Sequence, residues 1–70
     1  MRVIYSVLRE INEGTALPTA EDYRVKQREF ENFIFTLEKD GYVERVIRID
    51  TFFSLKAARL TKKGHKLIEK

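Results

Sequence analysis

One apolar spacing occurs twice in this chain and constrains it more than any other feature. Ile4, Val7, Leu8 and Ile11 recur at i, i+3, i+4 and i+7, and Phe30, Phe33, Ile34 and Leu37 repeat the pattern. That period puts each set on one face of an α-helix. A glycine follows each stripe, Gly14 after the first and Gly41 after the second. Glycine is the residue that most easily takes the left-handed conformation that stops a helix. The spacing therefore predicts a helix over residues 2–13 and a longer one over residues 25–40, whose apolar faces bury one another.

Between them, residues 15–18 read as a loop. Thr19 has the chemistry of an N-cap, and Glu21 and Asp22 suit the first turn of a short second helix. Tyr23 follows at once, so that helix is one or two turns long, joined to the third by a tight turn near Arg24. After Gly41 the helical period disappears. Residues 42–50 are rich in Val, Ile and Tyr and suit a strand. Their alternation is imperfect: Arg45, Ile47 and Ile49 share parity with Val43 while Val46 does not, as a bulge or a partly exposed ribbon would produce. Asp50 and Thr51 mark a tight turn. Residues 52–60 return as a second strand, weak at Lys56, Ala57 and Ala58. Thr61 then caps a last helix over residues 62–70, with Leu60, Gly64, Leu67 and Ile68 as its apolar stripe. Glycine inside a helix costs about 1 kcal/mol relative to alanine, so Gly64 predicts a close approach to a neighbouring element.

The order is helix, short helix, helix, hairpin, helix. It defines a mainly α, α+β chain: a winged helix-turn-helix with three helices, a two-stranded β-hairpin wing and a short C-terminal helix. Residues 1–70 read as a single domain. The sequence also resembles the small YjcQ-type winged-helix proteins of Gram-positive bacteria and their phages. The resemblance rests on Tyr5, Leu8, Ile11 and Gly14, on Pro18 with Glu21, Asp22 and Tyr23, and on Phe30, Ile34 and Leu37 leading to Gly41, Tyr42 and Val43. It closes with Leu60, Thr61, Lys63, Gly64 and Ile68. It implies a winged-helix fold like that of DNA-binding regulators. The chain departs from longer relatives in its short wing turn and in ending soon after the last helix.

Composition narrows the chemistry. The chain has no cysteine, which excludes a disulfide scaffold, a thiolate zinc site and a cysteine nucleophile. That absence, with no basic-then-apolar leader, predicts a cytoplasmic protein. No apolar run exceeds three residues, as at 33–35, so no membrane span is expected. His65 has no histidine or cysteine companion, and Ser6 and Ser54 have no triad partners. The glycines are isolated and form no phosphate-cradling loop. These absences predict a binding module with no cofactor and no metal rather than an enzyme.

Charge is distributed unevenly. Residues 1–40 carry six Lys and Arg against eight Asp and Glu, whereas residues 41–70 carry eight against three. The basic half would attract an anionic partner. On the third helix, the face opposite the apolar stripe carries Arg28, Glu31, Asn32, Phe35 and Lys39. Arg28 suits guanine and Asn32 suits adenine in a major groove. Lys26 and Gln27 sit at the helix N-terminus, where phosphates are favoured. Arg45 and Arg48 on the first strand and Lys56 and Arg59 on the second make the wing basic, with Arg45, Arg48 and Lys56 as its phosphate-binding candidates, although charges there also protect edge strands from aggregation. The expectation is a small transcriptional regulator that binds double-stranded DNA, with a homodimer on two half-sites supplying affinity. The alternative is a protein-binding winged helix, a phage-type modulator of a host or viral protein, acting through Phe35, Phe52 and Phe53. A third reading is nucleic-acid binding without sequence preference through the basic half.

Overall fold

Helix α1 spans Val3–Glu13 and buries Val7, Leu8 and Ile11. Gly14 stops it at φ +71°, and its N–H donates to the Glu10 carbonyl at 3.0 Å. Helix α2, Gln27–Lys39, buries Phe30, Ile34 and Leu37 against that stripe. Its first turn is closed by the Glu29 carboxylate, which accepts from the Lys26 N–H at 3.1 Å. A computed structural model describes residues 3–69 of the chain, so Arg2 and Lys70, which the sequence places in helices, lie outside it. No helix among the described residues is long and apolar enough to cross a membrane.

Three expectations for this half need correction. The short second helix is a single 3-10 turn, Glu21–Tyr23. Thr19 and Asp22 cap one another through paired backbone-to-side-chain bonds of 3.1 and 3.2 Å, and Arg24 at φ 56° ends the turn before an α-helix can propagate. The following helix starts at Gln27 and not at residue 25, because Lys26 is extended. Phe33 belongs to the apolar stripe by spacing but is only half-buried. It borders a recess of about 290 Å³ with Val3, Val7, Tyr23, Val25, Glu29 and Phe30.

The hairpin is one ribbon in two pieces. Strand β1, Val43–Glu44, pairs antiparallel with β4, Arg59–Leu60. Strand β2, Ile47–Ile49, pairs antiparallel with β3, Phe52–Ser54. The two long strands expected over residues 42–50 and 52–60 are thus each interrupted. Between the ladders the outgoing strand has only Arg45 and Val46, while the return strand has residues 55–58. Arg45 turns there with φ 66°, and the Ala58 N–H donates to the Leu55 carbonyl at 3.1 Å, so the ladder breaks on both sides. At the tip Asp50 takes φ 58° in a two-residue turn with Thr51, as the sequence predicts.

Helix α3, Lys62–Ile68, locks the base of the hairpin to the end of α2. The Thr61 side chain accepts from the Gly64 N–H at 3.1 Å, donates to the Gly41 carbonyl, and its own N–H donates to the Tyr42 carbonyl at 3.0 Å. Lys63 donates to the Asp40 carbonyl at 2.7 Å and lies 4.6 Å from the centre of the Tyr42 ring. Carbonyls that α2 leaves unpaired at its C-terminus are therefore satisfied by residues 61 and 63. Gly64 sits so close to this turn that a Cβ on it would lie 2.2 Å from the Tyr42 carbonyl oxygen, the close approach its position predicts. The described residues form a small α+β fold of three α-helices with an antiparallel hairpin, a layout compatible with a winged helix. Val43, Leu55 and Leu60 from the hairpin complete the core.

Candidate nucleic-acid interface

The exposed face of α2 and the distal hairpin form one groove. Gln27, Arg28, Glu31, Asn32, Arg48 and Thr51 line a hollow of about 240 Å³. Gln27, Arg28 and Asn32 are exposed there. Glu31 is held on both sides: it accepts from the Gln27 amide at 2.7 Å and lies 3.7 Å from the Arg48 guanidinium. This pairing offsets the repulsion its carboxylate would exert on phosphate, although Glu29 and Glu38 also lie on the helix. The Asn32 backbone carbonyl accepts from the Thr36 hydroxyl at 3.0 Å, and the Asn32 side-chain amide makes no hydrogen bond among the described residues.

Alternation decides what each face of the hairpin carries. Arg48 and Phe53 are cross-strand partners on the face turned to α2. There Phe53 meets Phe35 edge-on at 5.8 Å and Phe30 edge-on at 6.3 Å. The Arg48 guanidinium lies 5.7 Å from the Phe35 ring centre and reaches back to the Asp50 carbonyl at 3.4 Å. Phe35 and Phe53 are therefore covered by one another and by Arg48. Of the three aromatics in the protein-binding alternative, only Phe52 is exposed, at 60%, beside its cross-strand partner Ile49 at 69%.

The remaining wing cations lie elsewhere. Arg45, Lys56 and Arg59 border a larger, polar concavity of about 660 Å³ between the end of α1, the broken middle of the hairpin, and α3. Among the described residues none of the three makes an ion pair. Lys56 also lines a smaller hollow that reaches Gln27, Thr19 and Ser54, and this third hollow lies between the concavity and the α2 groove. Lys26 is exposed at the start of α2. The proposed DNA-binding residues thus fall into two groups: Gln27, Arg28, Asn32 and Arg48 at the groove, and Arg45 and Lys56 at the concavity.

The site residues chosen from the sequence leave out Arg59, although it is one of the wing cations, as well as His65 and Asn12; all three line the same concavity. They come from three separate elements, and nothing in their spacing brings them together. Sequence reasoning also gave no role to Tyr23, whose hydroxyl donates to Glu10 at 2.8 Å and lies 2.9 Å from the Ser6 hydroxyl. Burial, reinforced by the nearby Glu10 carboxylate and partly offset by the Ser6 bond, pushes the Tyr23 phenol above its usual range. This cluster ties the 3-10 turn to α1 and is structural. No protein-family model, curated protein or solved structure matches the chain.

Proposed function

We propose that the chain is a cytoplasmic winged helix-turn-helix domain that binds double-stranded DNA, a small transcriptional regulator of bacterial or phage type. The observation that carries this reading is the groove between α2 and the hairpin tip. There Arg28 and Asn32 stand exposed on one helix face and Glu31, the carboxylate between them, is paired with Arg48. In this reading α2 enters the major groove, Arg28 bridges guanine O6 and N7, and Asn32 pairs with adenine N6 and N7. Lys26, Gln27, Arg45 and Lys56 hold phosphates, while Arg48, a phosphate candidate by sequence, is engaged by Glu31 and Phe35. Two copies on adjacent half-sites give a domain this small useful affinity. The resemblance to YjcQ-type proteins supports the same assignment at the level of fold.

The test is selection from a randomised duplex pool. The wild type enriches a preferred site, and an Arg28→Ala/Asn32→Ala variant loses that preference, each side chain accounting for about 1–3 kcal/mol of discrimination. A wild-type pool that emerges unenriched would sink base readout by α2. A second reading is favoured by Ile49 and Phe52, which form an exposed apolar pair at the tip of the hairpin. It makes the chain a protein-binding winged helix whose association barely responds to salt.

A further inference from the structure

We infer that the concavity at the break in the hairpin is a second phosphate-binding site, occupied in the DNA complex by the sugar-phosphate backbone. The nature of that occupant rests on the DNA-binding reading above, whereas the affinity for phosphate does not. Arg45, Lys56 and Arg59 border one hollow of about 660 Å³, and among the described residues the only carboxylate lining it is Glu44. Three cations that gather without ion pairs repel one another until an anion enters. The side chains of Asn12 and His65 on the opposite wall offer further hydrogen-bond donors.

The backbone gives an independent reason. The hollow exists because four residues of the return strand stand opposite two of the outgoing one, and the break turns on Arg45 at φ 66°. An L-residue is disfavoured there and glycine is the easy choice. Strained positions of this kind cluster at ligand-contacting sites. Arg45 is exposed, so no core packing accounts for it. The lining is polar and the hollow is open, unlike the mostly apolar, enclosing pockets that hold small metabolites. An extended polyanion fits it better. Lys56 and then Gln27 continue the path from this hollow to the α2 groove, so one backbone can touch both.

The test is an NMR titration of the ¹⁵N-labelled chain with sodium triphosphate and, separately, with a random DNA duplex. Triphosphate is expected to move the amides of Arg45, Lys56 and Arg59 and leave those of Arg28 and Asn32 in place, while the duplex moves both sets. Arg59→Ala weakens triphosphate binding by about fivefold or more. Arg45→Gly separates a ligand role from a structural one: it relieves the left-handed strain and raises Tm by about 4 °C, yet weakens binding of both ligands. A concavity that responds to neither ligand, or variants that bind both like wild type, would overturn the inference. A duplex that moves only the α2 amides leaves DNA readout by α2 standing and removes this inference, together with the phosphate roles of Arg45 and Lys56. Triphosphate that moves the concavity while the duplex moves nothing supports the phosphate site and removes the DNA reading.

Discussion

The two ends of the hairpin are held by opposite means. The distal half, β2 and β3, leans on α2 through side chains: Phe53 against Phe35 and Phe30, and Arg48 against Glu31. The basal half, β1 and β4, is held through backbone: Thr61 and Lys63 reach carbonyls of residues 40–42, and Gly64 presses against the Tyr42 carbonyl. Cations at both ends are engaged in structure, Arg48 at one and Lys63 at the other. Those at the break between them, Arg45 and Lys56, are not. A count of basic residues therefore overstates the charge available to a ligand, and the location of the unpaired ones is the informative part.

Gly64→Ala attacks the basal half and has the largest expected effect. A methyl group 2.2 Å from a backbone oxygen forces α3 off the hairpin, and the loss is about 3 kcal/mol despite the gain in helix propensity. Urea denaturation measures it; a variant as stable as wild type would mean the base tolerates separation. Phe53→Ala attacks the distal half. It removes a half-buried ring with two aromatic neighbours and is expected to cost about 2 kcal/mol, with the Phe35 ring signals moving in NMR spectra. If the distal half needs no apolar contact with α2, neither change appears.

Electrostatics contributes less. The Arg48 side chain is 48% exposed and Glu31 13% exposed, so a double-mutant cycle with Arg48→Ala and Glu31→Gln should return a coupling of about 0.5 kcal/mol that fades with salt. A coupling well above 1 kcal/mol would make the ion pair, and not the aromatic contact, the fastening of the distal half. The smallest effect concerns Tyr23. Its phenol ionises less readily in the fold than at its ordinary value of 10.0. Above that pH the unfolded chain loses the proton first, so folding stability falls as pH rises through the folded value. Tyr23→Phe should flatten this part of the stability profile relative to wild type, and an unchanged slope would remove Tyr23 as its cause.

Much of the architecture is legible because it depends on local period and capping. The stripes of α1 and α2, the Gly14 stop, the Thr61 cap and the Asp50–Thr51 turn all follow from neighbours within one or two helical turns. The Gly64 contact is also legible, because a glycine in a helix needs a reason. The break at Arg45 is legible in part: the parity change at Val46 and the weak strand signal at residues 56–58 announce an irregular ribbon. Arginine carries no turn signal, however, and the left-handed turn at Arg45 does not follow from the sequence. Phe35 shows the same limit. Its spacing puts it off the stripe shared with α1, but the hairpin arrives from the other side and covers it. The groove side chains Arg28 and Asn32 follow from helix periodicity. The Glu31–Arg48 pair and the gathering of Arg59, His65 and Asn12 are products of tertiary packing.

The most direct test of DNA binding is fluorescence anisotropy of a labelled random duplex at about 50 mM and about 200 mM salt. Contact with three phosphates predicts binding at the lower concentration and about a fortyfold loss of affinity at the higher. No binding at low salt, or binding that salt leaves unchanged, would contradict the account.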